Sequence, residues 1–109
     1  MSKGFLFFIK MLYIKIHKSY RDIVAICDSN LIGKKFEEEI KFLEIRESFY
    51  KDKEVSEEEA IEIMIDMEKE DATFNIVGEN AVKTALKAKI IIKEGISHIQ
   101  GIPYALALM

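Results

Sequence analysis

Apolar and other residues alternate with a period of two over residues 12–16, Leu12, Ile14 and Ile16 on one side and Tyr13 and Lys15 on the other, which predicts a first strand. The apolar run at residues 23–27 predicts a second. The connection through Lys18-Ser19-Tyr20-Arg21 has hairpin length, so the pair is expected to be antiparallel. Asp28-Ser29-Asn30 ends the second strand with turn-forming side chains, and Gly33 leads into a short charged element at Lys34-Lys35-Phe36. Residues 42–50 read as a third strand, Leu43, Ile45 and Phe49 inside and Glu44, Arg46 and Ser48 outside.

The period then changes. Ser56-Glu57-Glu58-Glu59 is a capping box, in which Ser56 accepts from the Glu59 amide while Glu59 reaches back, and three acids suit the positive end of a helix. A helix over residues 57–70 follows, with Ala60, Ile61, Met64 and Met67 as its stripe, widened by Ile63 and Ile65; such a stripe is core rather than a docking groove. Thr73–Val77 predicts a strand, and Gly78 turns it into a second helix with Ala81, Val82, Ala85 and Leu86 on one face. Lys93-Glu94-Gly95 is a turn or a short third helix carrying Ile96 and Ile99. Residues 102–109 are almost wholly apolar, which implies burial on both faces and a central strand, with Pro103 tolerated near its start.

These elements add up to an α/β fold, α+β being the alternative, with a single-layer mixed sheet of about five strands, two main helices and a short third. A chain of 109 residues that is 50% apolar can bury one core, so residues 11–109 are expected to form one domain. Residues 1–10 read as an N-terminal extension. A clean strand begins just after Met11, which raises the alternative that the extension is upstream sequence translated from a misplaced start. Its apolar stretch falls far short of the roughly 20 residues that span a bilayer and lacks a cleavage site, so no membrane partner is expected. The lone Cys27, inside an apolar run, reads as a core residue in a reducing cytoplasm. Abundant Lys, Glu and Ile with glutamine only at Gln100 is a composition of heat-adapted proteins, and an AT-rich genome gives a similar bias.

Charge divides the chain unevenly. Residues 1–36 hold 7 Lys/Arg against 2 Asp, and the remainder 9 Lys/Arg against 17 Asp/Glu. Four polar islands fall at the ends of predicted strands: His17-Lys18-Ser19-Tyr20-Arg21-Asp22, Arg46-Glu47-Ser48-Phe49-Tyr50, Phe74-Asn75-Ile76-Val77-Gly78-Glu79-Asn80 and Ile99-Gln100-Gly101-Ile102-Pro103-Tyr104. None has the spacing of a catalytic, phosphate-binding or metal motif, and no cofactor or metal is expected. With Lys15-Ile16, Cys27-Asp28-Ser29, Leu31-Ile32-Gly33-Lys34 and Asp71-Ala72-Thr73, these blocks make the chain from Leu12 onward resemble an archaeal family of uncharacterised small proteins of about a hundred residues. The resemblance implies an archaeal source, an α/β fold and proximity to translation, with no established reaction. Lys89 departs from it, standing where a glycine would suit a left-handed helix cap.

Three functions compete. The basic residues Lys15, Lys18, Arg21, Lys34 and Lys35, with His17 and Tyr20 among them, would bind structured RNA or the ribosome, cations on phosphates and rings on an exposed base. The acidic pI of 5.4 opposes this reading, and the plainer alternative is a set of solvated turn residues. A basic protein partner would instead meet the helix face formed by Glu58, Glu62 and Asp66, four residues apart; solvated glutamates are the plainer alternative here too. An enzyme would pair His17 with Asp22 or Glu47. A polar pocket of Arg46, Asn75, Gly78, Asn80 and Gln100 would orient a small substrate if the islands converge, and the phosphate such a glycine turn sometimes binds competes with a simple structural cap.

Overall fold

The computed structural model describes residues 11–108. In chain order the elements are β1 (Leu12–His17), β2 (Ile23–Asp28), β3 (Lys35–Glu38), β4 (Lys41–Glu44), α1 (Glu47–Tyr50), β5 (Lys53–Val55), α2 (Glu57–Lys69), β6 (Thr73–Val77), α3 (Glu79–Lys87), β7 (Ser97–Ile99) and β8 (Ile102–Ala107). Six strands form one mixed sheet in the order β5-β1-β2-β6-β8-β7, and β3 and β4 form a separate hairpin. Among the described residues only β2 and β6 are parallel neighbours, Ile23 opposite Thr73 and Cys27 opposite Val77. The α/β expectation holds, with six strands in the main sheet and the short helix at α1. Residues 93–95, predicted as a turn or short helix, form a 3-10 turn.

Helices α2 and α3 cover one face, where Leu12, Ile14, Val24, Ile26, Phe74 and Ile76 meet Ala60, Met64, Ala81 and Ala85. Burying each larger side chain contributes about 2 kcal/mol. The capping box forms as predicted, Glu59 N donating to Ser56 Oγ (3.2 Å) and Ser56 N to Glu59 Oε1 (3.1 Å). Ile65, placed in the stripe by its spacing, is 38% exposed at the stripe's margin. Both helices end on a left-handed residue, Asp71 and Lys89. Lys89 N donates to Leu86 O (3.0 Å) and Ile90 N to Ala85 O (2.9 Å), the pattern that usually employs glycine.

The other face carries Tyr13, Ala25, Cys27, Val77 and Tyr104 under Leu31, Ile45 and Tyr50. Here the sequence reading of one strand over residues 42–50 is corrected. The strand stops at Glu44, Gly33 N and Lys34 O bracket Ile45 (2.7 and 2.9 Å), and the chain turns into α1. Burial of Ile45 and Phe49 suits period two as well as a helical turn, so spacing alone did not separate the two. The closing strand is also corrected: β8 is the fifth strand of six. On this face α1 packs on β1 and β2 and the β3–β4 hairpin touches β7, which leaves Leu106 and Leu108 58% and 73% exposed.

Candidate functional site

The β1–β2 turn is braced by its own side chains and tied at its foot to β6, where Thr73 N donates to Asp22 O (2.9 Å). The Asp22 carboxylate accepts from Ser19 N (3.3 Å) and Lys18 Nζ (3.1 Å), and Ser19 Oγ donates to Arg21 O (2.6 Å). The Lys18 ammonium, then the Ser19 amide, hold the Asp22 carboxyl below its ordinary range. This bracing fixes the backbone on both sides of Tyr20, whose side chain is fully exposed. An aromatic ring at that position packs nothing in the fold, and the turn presents it between Lys18 and Arg21.

Two other members of the predicted basic set belong to the sheet's second face. Lys15 Nζ donates to Ser48 O (2.8 Å), and His17 Nε2 donates to Phe49 O (2.8 Å) while its ring stacks on Phe49 at 4.5 Å. Both therefore hold α1 against β1. Among the described residues neither Asp22 nor Glu47, the predicted acid/base partners, hydrogen-bonds His17. Lys34 and Lys35 lie past the opposite end of β2, a strand of six residues and so about 20 Å long. Lys35 lies 4.0 Å from Glu44. The predicted set thus falls into three groups, and Lys18, Tyr20 and Arg21 are the group that shares a turn.

The polar-pocket residues do not share one set of partners. Asp28, at the end of β2 and only 6% exposed, accepts from Asn80 N (3.1 Å), Asn80 Nδ2 (3.1 Å) and Ala81 N (2.8 Å). The anion at the α3 N-terminus is therefore the protein's own carboxylate, so Gly78 and Asn80 form a structural cap. Burial pushes the Asp28 carboxyl up, against the pull of those three donors. Gly78 has φ 110, and a Cβ there would lie 2.5 Å from Asp28 Cγ, so no other residue fits. Arg46 pairs with Glu44 (3.2 Å), Asn75 sits in β6 opposite Leu106, and Gln100 bonds to the β3–β4 hairpin.

Glu58, Glu62 and Asp66 are all exposed on α2, beside the Lys87–Glu57 pair at 3.0 Å. Cys27 is fully buried, and burial pushes its thiol up to about 12, which makes it inert as a nucleophile. Among the described residues no cluster of three His, Cys, Asp or Glu is placed to hold a metal, and no helix is long and apolar enough to cross a membrane.

Residues 16–109 match the family described as protein of unknown function DUF424. The chain belongs to this family. Among solved structures, an uncharacterized conserved protein from Methanopyrus kandleri superposes with a TM-score of 0.79 over 88% of this chain and 89% of its own, at 22% identity. That likeness establishes the shared fold. No curated protein matches the chain. The family match begins at Ile16 and so takes in the β1–β2 turn, the Asp28 cap and the Gln100 turn, but leaves out residues 1–15.

Sequence reasoning passed over Asp28, reading it as a turn former. The signal was present: Gly78 precedes a helix and offers no capping side chain of its own, so the cap had to come from elsewhere. An acid at the end of a neighbouring parallel strand is where such a cap would lie.

Proposed function

We propose that this domain is a cytoplasmic binding module that contacts structured RNA, ribosomal RNA included, through the β1–β2 turn. The observation that carries this reading is the fully exposed Tyr20 on a turn braced by Ser19 and Asp22. A pre-ordered ring loses little entropy on stacking, and one base on an aromatic side chain is worth about 1–3 kcal/mol. Lys18 and Arg21 flank Tyr20 along the turn and supply the cations that would meet phosphates of the bound strand. The Lys18–Asp22 pair is exposed and weak in water, so a phosphate competes with it readily. His17 and Lys15 support the platform by holding α1, and Lys34 and Lys35 offer a second, separate contact to the backbone of a large RNA.

Affinity for folded ribosomal RNA, measured across a salt series, tests the reading. Wild type is expected to bind with a negative slope of log affinity on log salt. Tyr20→Ala is expected to weaken binding about tenfold with the slope kept, and Lys18→Glu with Arg21→Glu to reduce the slope by about 2. Equal binding by all three proteins would remove the turn as an RNA site.

A further inference from the structure

The β3–β4 hairpin meets the RNA reading only at its base, through Lys35, while its tip at residues 38–41 has no part in it and departs from what a solvent-exposed turn requires. Glu38 pairs with Lys41, leaving Glu39 and Ile40 as a two-residue turn. Glu39 has φ 57, a conformation usually given to Gly or Asn, and Ile40 is fully exposed where turns ordinarily carry polar side chains. Phe42, one step down the strand, is 57% exposed. Two large apolar side chains therefore stand on a projecting tip.

The tip is held in place from far along the chain. Gln100 N donates to Glu38 Oε1 (2.6 Å), Gln100 Nε2 to Glu37 O, and Lys41 Nζ to His98 O (3.1 Å). Gln100 and Gly101, at φ 48 and 80, form the tight β7–β8 turn that delivers these bonds. A lone two-stranded hairpin is marginal in water, so these braces keep the apolar tip in one geometry. Around it the charge is negative: Glu37, Glu38 and Glu39 face a single Lys41, and the Glu37 and Glu39 carboxylates enter no ion pair among the described residues.

We propose that this tip is a docking finger, Ile40 and Phe42 entering an apolar socket on a partner protein whose rim is basic. Negative charge on the finger selects a positive rim and disfavours nucleic acid, while the braces remove the ordering cost of binding. The surface lies apart from the β1–β2 turn, so the inference does not depend on RNA binding.

The test places a photo-crosslinking benzoylphenylalanine at position 40 of the full chain in lysate of the source cells, identifies the crosslinked molecule, and measures its binding after purification. The expected result is one protein with a basic sequence. Its affinity should fall at least tenfold with Ile40→Ser/Phe42→Ser and with the charge reversal Glu37→Lys/Glu39→Lys, with the melting temperature unchanged. Because the second variant keeps the apolar pair, it retains the test should the first fail to fold. Crosslinks to RNA or to a second copy of this chain, no crosslink, or a purified partner that binds every variant equally would overturn the proposal.

Discussion

The two hairpin tips differ in charge, in chemistry and in how they are held. The β1–β2 turn is basic and aromatic; the side-chain bonds of Lys18, Ser19 and Asp22 run among residues 18–22, and a backbone bond from Thr73 N to Asp22 O (2.9 Å) ties its foot to β6. The β3–β4 tip is acidic and aliphatic, and its braces come from residues 98 and 100. A turn whose side-chain braces are local keeps most of its shape when distant parts of the fold loosen, whereas a tip braced at long range keeps its shape only while the distant turn does. One domain of this size thus presents two exposed tips of opposite sign, braced by different residues.

The sharpest way to break that separation is to weaken what both tips share. Asp28→Ala leaves the buried amides of Asn80 and Ala81 without an acceptor at the junction of β2, β6 and α3, and should cost about 3 kcal/mol in denaturant unfolding. Gln100→Ala removes two braces and should cost about 1 kcal/mol. Amide exchange should rise across residues 35–44 and stay unchanged at Ser19. Lys89→Gly relieves a left-handed residue at the end of α3 and should stabilise by about 1 kcal/mol in thermal unfolding, with neither tip altered.

The smallest effect is local and depends on pH. Because the Asp22 carboxyl is held below its ordinary range, its contribution is present at neutral pH and is lost only as pH falls through that lowered range. Slow exchange at the Ser19 amide should follow this acid-side loss in wild type. In Asp22→Asn the pH-dependent step should vanish, with the β3–β4 tip unaffected.

What could be read from the sequence follows the range of the interactions. The β1–β2 hairpin, the Ser56 capping box and β6 rest on neighbours in the chain, and each appeared where alternation or capping placed it. The β3–β4 hairpin did not, because a Glu39-Ile40 turn carries none of the glycine or asparagine that marks such turns. At the candidate site, Lys18, Tyr20 and Arg21 were legible as one basic-aromatic turn. The parting of Lys34 and Lys35 from them was not, since it depends on β2 carrying the chain to the other end of the sheet. The Asp28 cap joins residues more than fifty positions apart and so leaves no local pattern.

The central claim is that the braced Tyr20 turn binds RNA, and the most direct measurement is the affinity of the full chain for folded ribosomal RNA at low and high salt. Wild type is compared with Tyr20→Ala, with Lys18→Glu/Arg21→Glu, and with Ile40→Ser/Phe42→Ser. The account predicts salt-sensitive binding that the two β1–β2 variants weaken and the β3–β4 variant leaves intact. Binding that is absent, or that all four proteins share equally, would contradict it.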